Sequence, residues 1–187
     1  MDLNQVKVVI APGNGGAKPT DNWFPYIKSE LEKIGVPVIA CEFPDSFLAR
    51  ESFWIPFLEQ DLQVDQNTIL IGHSSGAIAA LRYAENHKIL GSILIGVYHT
   101  DLDNENERLS GYFDRPWNWA EIKKNQEWVV IFASEDDPWI QIAEPRFVRD
   151  QLNAEYYEYE DQGHFGGDYV KDTFPELLEV IKAKITK

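Results

Sequence analysis

The chain has 187 residues, 44% hydrophobic and 13% aromatic, with a formal net charge of −14 and one cysteine, Cys41. That length and composition suit a single globular domain over residues 1–187 with a sizeable core. The acidic balance argues against nucleic acid or an anionic membrane as a partner, and the lone cysteine rules out an intrachain disulfide.

Residues 1–5 carry no basic segment followed by an apolar stretch, so no secretory signal is expected. No apolar run approaches the ~20 residues that cross a bilayer. A cytoplasmic setting is the expectation. Residues 6–11 form a β-branched run that stops at Pro12-Gly13. Residues 22–34 place Trp23, Ile27, Leu31 and Ile34 at helical spacing, with Asp21 or Asn22 available as a cap and Gly35 as the stop. Residues 36–42 read as a second strand. Residues 51–62 read as a helix with an aromatic face, which Pro56 weakens or moves to start near itself. Residues 68–71 read as a strand and 75–86 as a helix that packs through Ile78, Leu81 and Tyr83.

The runs 93–97 and 128–133 are almost wholly apolar, as suits central strands of a parallel sheet covered on both faces. Helices are expected over 143–152 and 173–184, and a last strand over 156–160. This alternation points to a doubly wound, mostly parallel sheet of about six strands flanked by helices. Residues 98–118 break the rhythm. They are polar, charged and aromatic, and too long for a simple connector, so a lid or binding element is expected there.

Between the third strand and the following helix lies Gly72-His73-Ser74-Ser75-Gly76. A Gly-x-Ser-x-Gly placed there describes a nucleophile elbow, with Ser74 at the apex of a turn too tight for side chains two residues to either side. A serine hydroxyl attacks a carbonyl only if a base takes its proton, and a carboxylate must orient that base. In chain order Ser74 is followed by Asp137 and then His164. Asp137 lies in a loop after an apolar strand, with Asp136 as its competitor, and His164 lies in a glycine-flanked loop after the last strand. His73, within the elbow, His87, at a helix end, and His99, before the acid in chain order, fit the base role less well.

The oxyanion formed in such chemistry needs donors. Ser75, the residue after the nucleophile, offers its backbone N–H, and the loop Pro12-Gly13-Asn14-Gly15-Gly16 offers that of Asn14 or Gly15. The same loop lacks the spacing and the Lys-Ser/Thr of a phosphate-binding motif. Neither the single cysteine nor the scattered histidines give zinc-ligand spacing, so neither metal nor cofactor is expected. The acids between 101 and 107 read as solvated groups and a helix cap, although a hard cation could sit among them.

With these residues in view, the chain resembles the retinoblastoma-binding protein 9 family of small α/β-hydrolase-fold serine hydrolases. The likeness runs from Pro12-Gly13-Asn14 to Gly163-His164-Phe165 and includes Ala49-Arg50-Glu51-Ser52-Phe53-Trp54 and the stretch 103–119. It implies the α/β-hydrolase fold and a Ser-Asp-His triad that maps onto Ser74, Asp137 and His164. It also implies hydrolysis of a small ester or amide, with aminopeptidase-like action on short peptides within its range. Binding of the retinoblastoma protein is ascribed in that family to a Leu-x-Cys-x-Glu segment. This chain has Leu62-Gln63-Val64-Asp65-Gln66 there, without the cysteine or the glutamate, so that partner is not carried over.

Little of the chain is left for a cap, and a shallow or small pocket is expected. Trp54, Tyr112, Phe113, Trp117, Trp119 and Trp139 are candidates for its walls. A carboxylate beside it could hold the free amine of an aminoacyl substrate. The alternative function is a protein-interaction module built on a hydrolase fold with little or no turnover.

Overall fold

A computed structural model describes residues 6–167 and 169–186, so the stretch 1–5 discussed above lies outside it. The apolar runs become six strands: β1 (Lys7–Ala11), β2 (Val38–Ala40), β3 (Thr68–His73), β4 (Gly91–Ile95), β5 (Trp128–Ser134) and β6 (Glu155–Tyr159). They form one sheet in the order β2-β1-β3-β4-β5-β6, with every neighbouring pair parallel. The connecting helices are α1 (Phe24–Lys33), α2 (Glu51–Pro56), α3 (Ser75–Asn86), α4 (Glu105–Ser110), α5 (Trp119–Lys124), α6 (Ala143–Leu152) and α7 (Pro175–Ile185).

Successive strand side chains point to opposite faces, so each apolar run feeds two cores. Val8, Ile10, Ile69, Ile71, Ile93, Ile95, Val130 and Phe132 pack under α1 and α7. Val9, Leu70, Leu94, Val129 and Ile131 face the other way, under α2, α3, α5 and α6. Burying each such side chain stabilises the fold by about 1.5–3 kcal/mol.

Three local expectations are corrected. Neither Asp21 nor Asn22 caps α1 through its side chain: Asp21 accepts the Lys18 N–H and Asn22 the Gly167 N–H, while Pro25 opens the helix. Pro56 does not start its helix but sits inside it, after Glu51. Because proline has no N–H to donate, the chain widens into a π-helical turn, Phe57–Asp61, closed by Leu62 N–H on the Phe57 carbonyl. The strand expected over 93–97 ends at Ile95, since Gly96 turns away with φ +59°.

The irregular stretch 98–118 is clamped to the body by Arg82 of α3. This guanidinium is buried. It donates to the carbonyls of Tyr112, Arg115 and Pro116, pairs with Glu85 at 2.6 Å, and lies 3.6 Å from the centroid of a Trp117 ring. α4 begins where Asn104 accepts the Asn106 N–H, so the cap within the acidic stretch 101–107 is an amide and not one of the acids. Among the described residues no helix is long and apolar enough to cross a membrane.

The closest backbone approach is at the β3–α3 turn. A Cβ at Gly76 would lie 2.1 Å from the Ala11 carbonyl oxygen and 2.5 Å from that of Pro12, and one at Gly72 would lie 2.4 Å from the Gly76 carbonyl. These are backbone atoms and cannot swing aside. Gly76→Ala should therefore cost about 3 kcal/mol or more and lower Tm by about 6–12 °C. An unchanged Tm in a thermal melt would show that the turn has slack.

Candidate active site

Strand order reverses direction between β1 and β3, and in open parallel sheets the crevice beyond such a point is where ligands sit. Here β1 runs into the Gly13–Gly16 loop and β3 into Ser74. The tight turn holds Ser74 at φ 55° and ψ −123°, a left-handed conformation rarely adopted by a residue with a side chain. Its N–H donates to the Ile95 carbonyl at 2.9 Å, which ties the elbow to the end of β4. A cleft of about 930 Å³ opens above, lined by Gly13, Asn14, Ser74, Tyr98, Glu107, Trp139 and His164 among others.

His164 reaches this cleft from the loop after β6. Its Nδ1 lies 2.7 Å from Asp137 Oδ2, with the Asp137 side chain buried and that of His164 12% exposed. The other oxygen, Asp137 Oδ1, accepts the N–H groups of Trp139 and Ile140 at 2.9 and 3.1 Å. The imidazole rests over Gly96, where a Cβ would come within 3.1 Å of the ring. Gly96 directly follows Ile95, the backbone partner of Ser74, so ring and serine occupy neighbouring positions at one sheet edge.

The two adjacent aspartates part ways. Asp136 accepts from Ser134 Oγ at 2.6 Å and from the Gly163 N–H at 2.8 Å, and the Ser134 bond holds its carboxyl below the usual range. It anchors the loop that carries His164 and does not touch the imidazole.

That loop has further ties. His73 Nε2 lies 2.7 Å from the His164 carbonyl, and the Trp23 indole donates to the Phe165 carbonyl at 3.0 Å. Burial, aided by the neighbouring His164, pushes the His73 imidazole down to about 3, so it is neutral and acts as a donor. Sequence alone set His73 aside. Its place inside the elbow was the available signal, but only the fold shows what it holds.

Among the expected oxyanion donors, Ser75 opens α3, whose N-terminal end carries partial positive charge. Gly15 is corrected: its N–H is taken by the Phe47 carbonyl at 3.2 Å. Asn14 lines the cleft beside Gly13, and a Cβ at Gly13 would lie 3.3 Å from that of Ser74. Loop and nucleophile candidate therefore touch.

Most of the expected aromatic wall is elsewhere. Trp54 and Tyr112 are wholly buried in the core, with the Trp54 indole donating to the Pro44 carbonyl. Phe113 stacks on Tyr98, and Trp117 lies between the Arg82 guanidinium and Trp119, with its indole donating to the His99 carbonyl. Only Trp139 of that set lines the cleft, and it is 66% exposed. The pocket is also roomier than expected, near the upper end of the ~300–1,000 Å³ typical of ligand sites. Its walls are mostly loops, joined by Asn106 and Glu107 of α4. Among the described residues no cluster of three His, Cys, Asp or Glu side chains is placed to hold a metal ion.

Comparison with known proteins identifies the family and the fold. A family model described as serine hydrolase matches residues 8–183. Serine hydrolase RBBP9 of Rattus norvegicus is 47% identical over 182 residues, which cover 96% of each chain. The crystal structure of the ydeN gene product from B. subtilis superposes with a TM-score of 0.89 at 25% identity, over 97% of this chain and 100% of that one. Est1E from Butyrivibrio proteoclasticus, solved with ferulic acid, shares the fold with a TM-score of 0.75 at 12% identity, over 97% and 90% of the two chains.

The buried neutral His73 has a pH signature. Its folded value lies below its unfolded one of about 6.5, so the unfolded chain takes the proton first. The stability it contributes is whole above pH ~6.5 and is lost as pH falls toward 3, at up to about 1.4 kcal/mol per pH unit. Denaturant titrations should show wild type losing stability across that window faster than His73→Gln. Parallel losses would mean that the imidazole is not held neutral.

Proposed function

Because the chain belongs to the serine hydrolase family and is a serine hydrolase, we propose that Ser74, His164 and Asp137 are its catalytic triad. We further propose that it cleaves small esters or amides, aminoacyl compounds and short peptides among them, through an acyl-enzyme. The observation that carries this reading is the 2.7 Å contact between His164 and Asp137 at the cleft that also holds the strained Ser74.

A carboxylate only accepts, so Asp137 keeps the imidazole proton on Nδ1 and leaves the Nε2 lone pair for the serine. As Ser74 Oγ bonds to the substrate carbonyl carbon, Nε2 takes its proton. The carbonyl oxygen, now negative, is met by the N–H groups of Asn14 and Ser75. When the tetrahedral adduct collapses, the imidazolium returns the proton to the leaving alcohol or amine. Water then repeats the sequence on the acyl-enzyme with His164 again as base.

The exposed ring of Trp139 offers apolar contact to an acyl or leaving group. Asp21 in the cleft wall and the net charge of −14 favour a substrate carrying a free ammonium. Docking of the retinoblastoma protein through residues 62–66 forms no part of the proposal. In addition to the missing cysteine and glutamate, Leu62 and Val64 are buried.

A fluorophosphonate probe should label wild type and fail to label Ser74→Ala. Asp137→Asn should lower kcat by ~10³-fold or more, because it favours the wrong imidazole tautomer, and Asp136→Asn should do less. The reverse ranking of the two aspartates would overturn the acid assignment. An aminoacyl ester should be cleaved faster than its N-acetyl form, and equal rates would exclude recognition of the amine.

A further inference from the structure

Both oxyanion donors invoked above belong to residues whose side chains end on one buried pair, Tyr98 and Glu107. Asn14 Nδ2 donates to Glu107 Oε1 at 2.9 Å, the Tyr98 hydroxyl donates to Glu107 Oε2 at 2.7 Å, and Ser75 Oγ lies 3.3 Å from that hydroxyl. Tyr98 and Glu107 are 1% and 7% exposed, and Asn14 meets them half-buried at the cleft wall. We propose that Tyr98 and Glu107 are positioning residues that set the spacing of the oxyanion hole by bracing the Asn14 loop against the first residue of α3.

The connectivity supports this role. The Asn14 loop follows β1 and Ser75 follows β3, so the two donors come from different elements, and each could drift with its own loop or helix. Glu107 comes from a third element, α4, which is itself held through the stretch that Arg82 clamps. Both Glu107 oxygens accept from protein donors, as befits a brace more than a group awaiting a substrate amine. Burial raises the carboxyl above its usual range, while the bonds from Tyr98 and Asn14 work in the opposite direction. A buried carboxylate beside a developing oxyanion adds unfavourable charge, so its presence calls for a structural return. Holding two donors from separate elements is such a return.

The proton order gives a conservative variant. With Tyr98 donating to Glu107, Ser75 Oγ–H donates to Tyr98. In Glu107→Gln the amide oxygen can still accept from Asn14. The amide nitrogen can donate to the Tyr98 oxygen, and Tyr98 then donates to Ser75. The brace survives without its charge.

The inference rests on the triad reading above, and the test separates the two. The rate of covalent labelling by a fluorophosphonate is resolved into its limiting rate and half-saturating concentration, since the phosphonyl oxygen occupies the oxyanion hole and the probe needs no amine. Glu107→Ala and Tyr98→Phe should lower the limiting rate ~10-fold or more, short of the ~10²–10³ for loss of a whole donor, with half-saturation unchanged. Glu107→Gln should restore it to within about threefold of wild type. Limiting rates near wild type in both disrupting variants, a change in half-saturation alone, or a Gln variant as slow as Ala would overturn the brace. If Glu107→Ala does not fold, Tyr98→Phe decides alone, because it removes one hydroxyl and keeps the ring. If wild type is not labelled, or Ser74→Ala is labelled as fast, the triad reading falls and the brace with it.

Discussion

The backbone contact where α3 meets β1 sets the terms for the rest of the site. No side chain fits at Gly76, whose missing Cβ would overlap the Ala11 and Pro12 carbonyls. The close approach pulls the elbow against the end of β1 and forces Ser74 into a conformation that lifts its hydroxyl out of the sheet. The same strand end releases the Asn14 loop. One steric constraint thereby places the proposed nucleophile and a proposed oxyanion donor side by side, before any polar interaction is counted.

Around that point, neighbouring residues of one kind take different tasks because their surroundings differ. Asp137 faces the imidazole, while Asp136, one residue earlier, points back to Ser134 and Gly163 and holds the loop that carries it. His164 presents its ring to the cleft. His73, packed beside it at 4.8 Å between ring centroids, is buried and neutral and grips the His164 backbone. In each pair one member belongs to the proposed triad and the other secures the loop that carries His164.

The stretch 98–118 shows how a charged, aromatic segment can serve as a wall in place of a lid. Arg82 draws its carbonyls inward, and Trp117 covers the guanidinium. The bulky rings are consumed in this packing, so the cleft stays open and its floor is polar. Glu107 and Tyr98 remain at that floor, where they join the loop after β1 to the start of α3.

The order and type of the elements were legible in the sequence because burial on both faces of a parallel sheet leaves unbroken apolar runs, and helices repeat at 3.6. The elbow and the chain order of Ser74, Asp137 and His164 were legible because steric and chemical demands restrict residue type at those positions. Asp137 and Asp136 look alike in sequence, and only the direction of each side chain separates them. Trp54, Tyr112 and Trp117 have the composition of a binding site, yet packing against Phe43, the core and Arg82 decides where they go. Gly15 lost its place as a donor to the carbonyl of Phe47, thirty-two residues away. Local sequence thus determined strands, helices and the candidates for the reacting groups, since these depend on near neighbours and on chemistry. Which carboxylate meets which histidine, and which N–H stays free, was decided by tertiary structure, because those contacts join segments that the sequence keeps far apart.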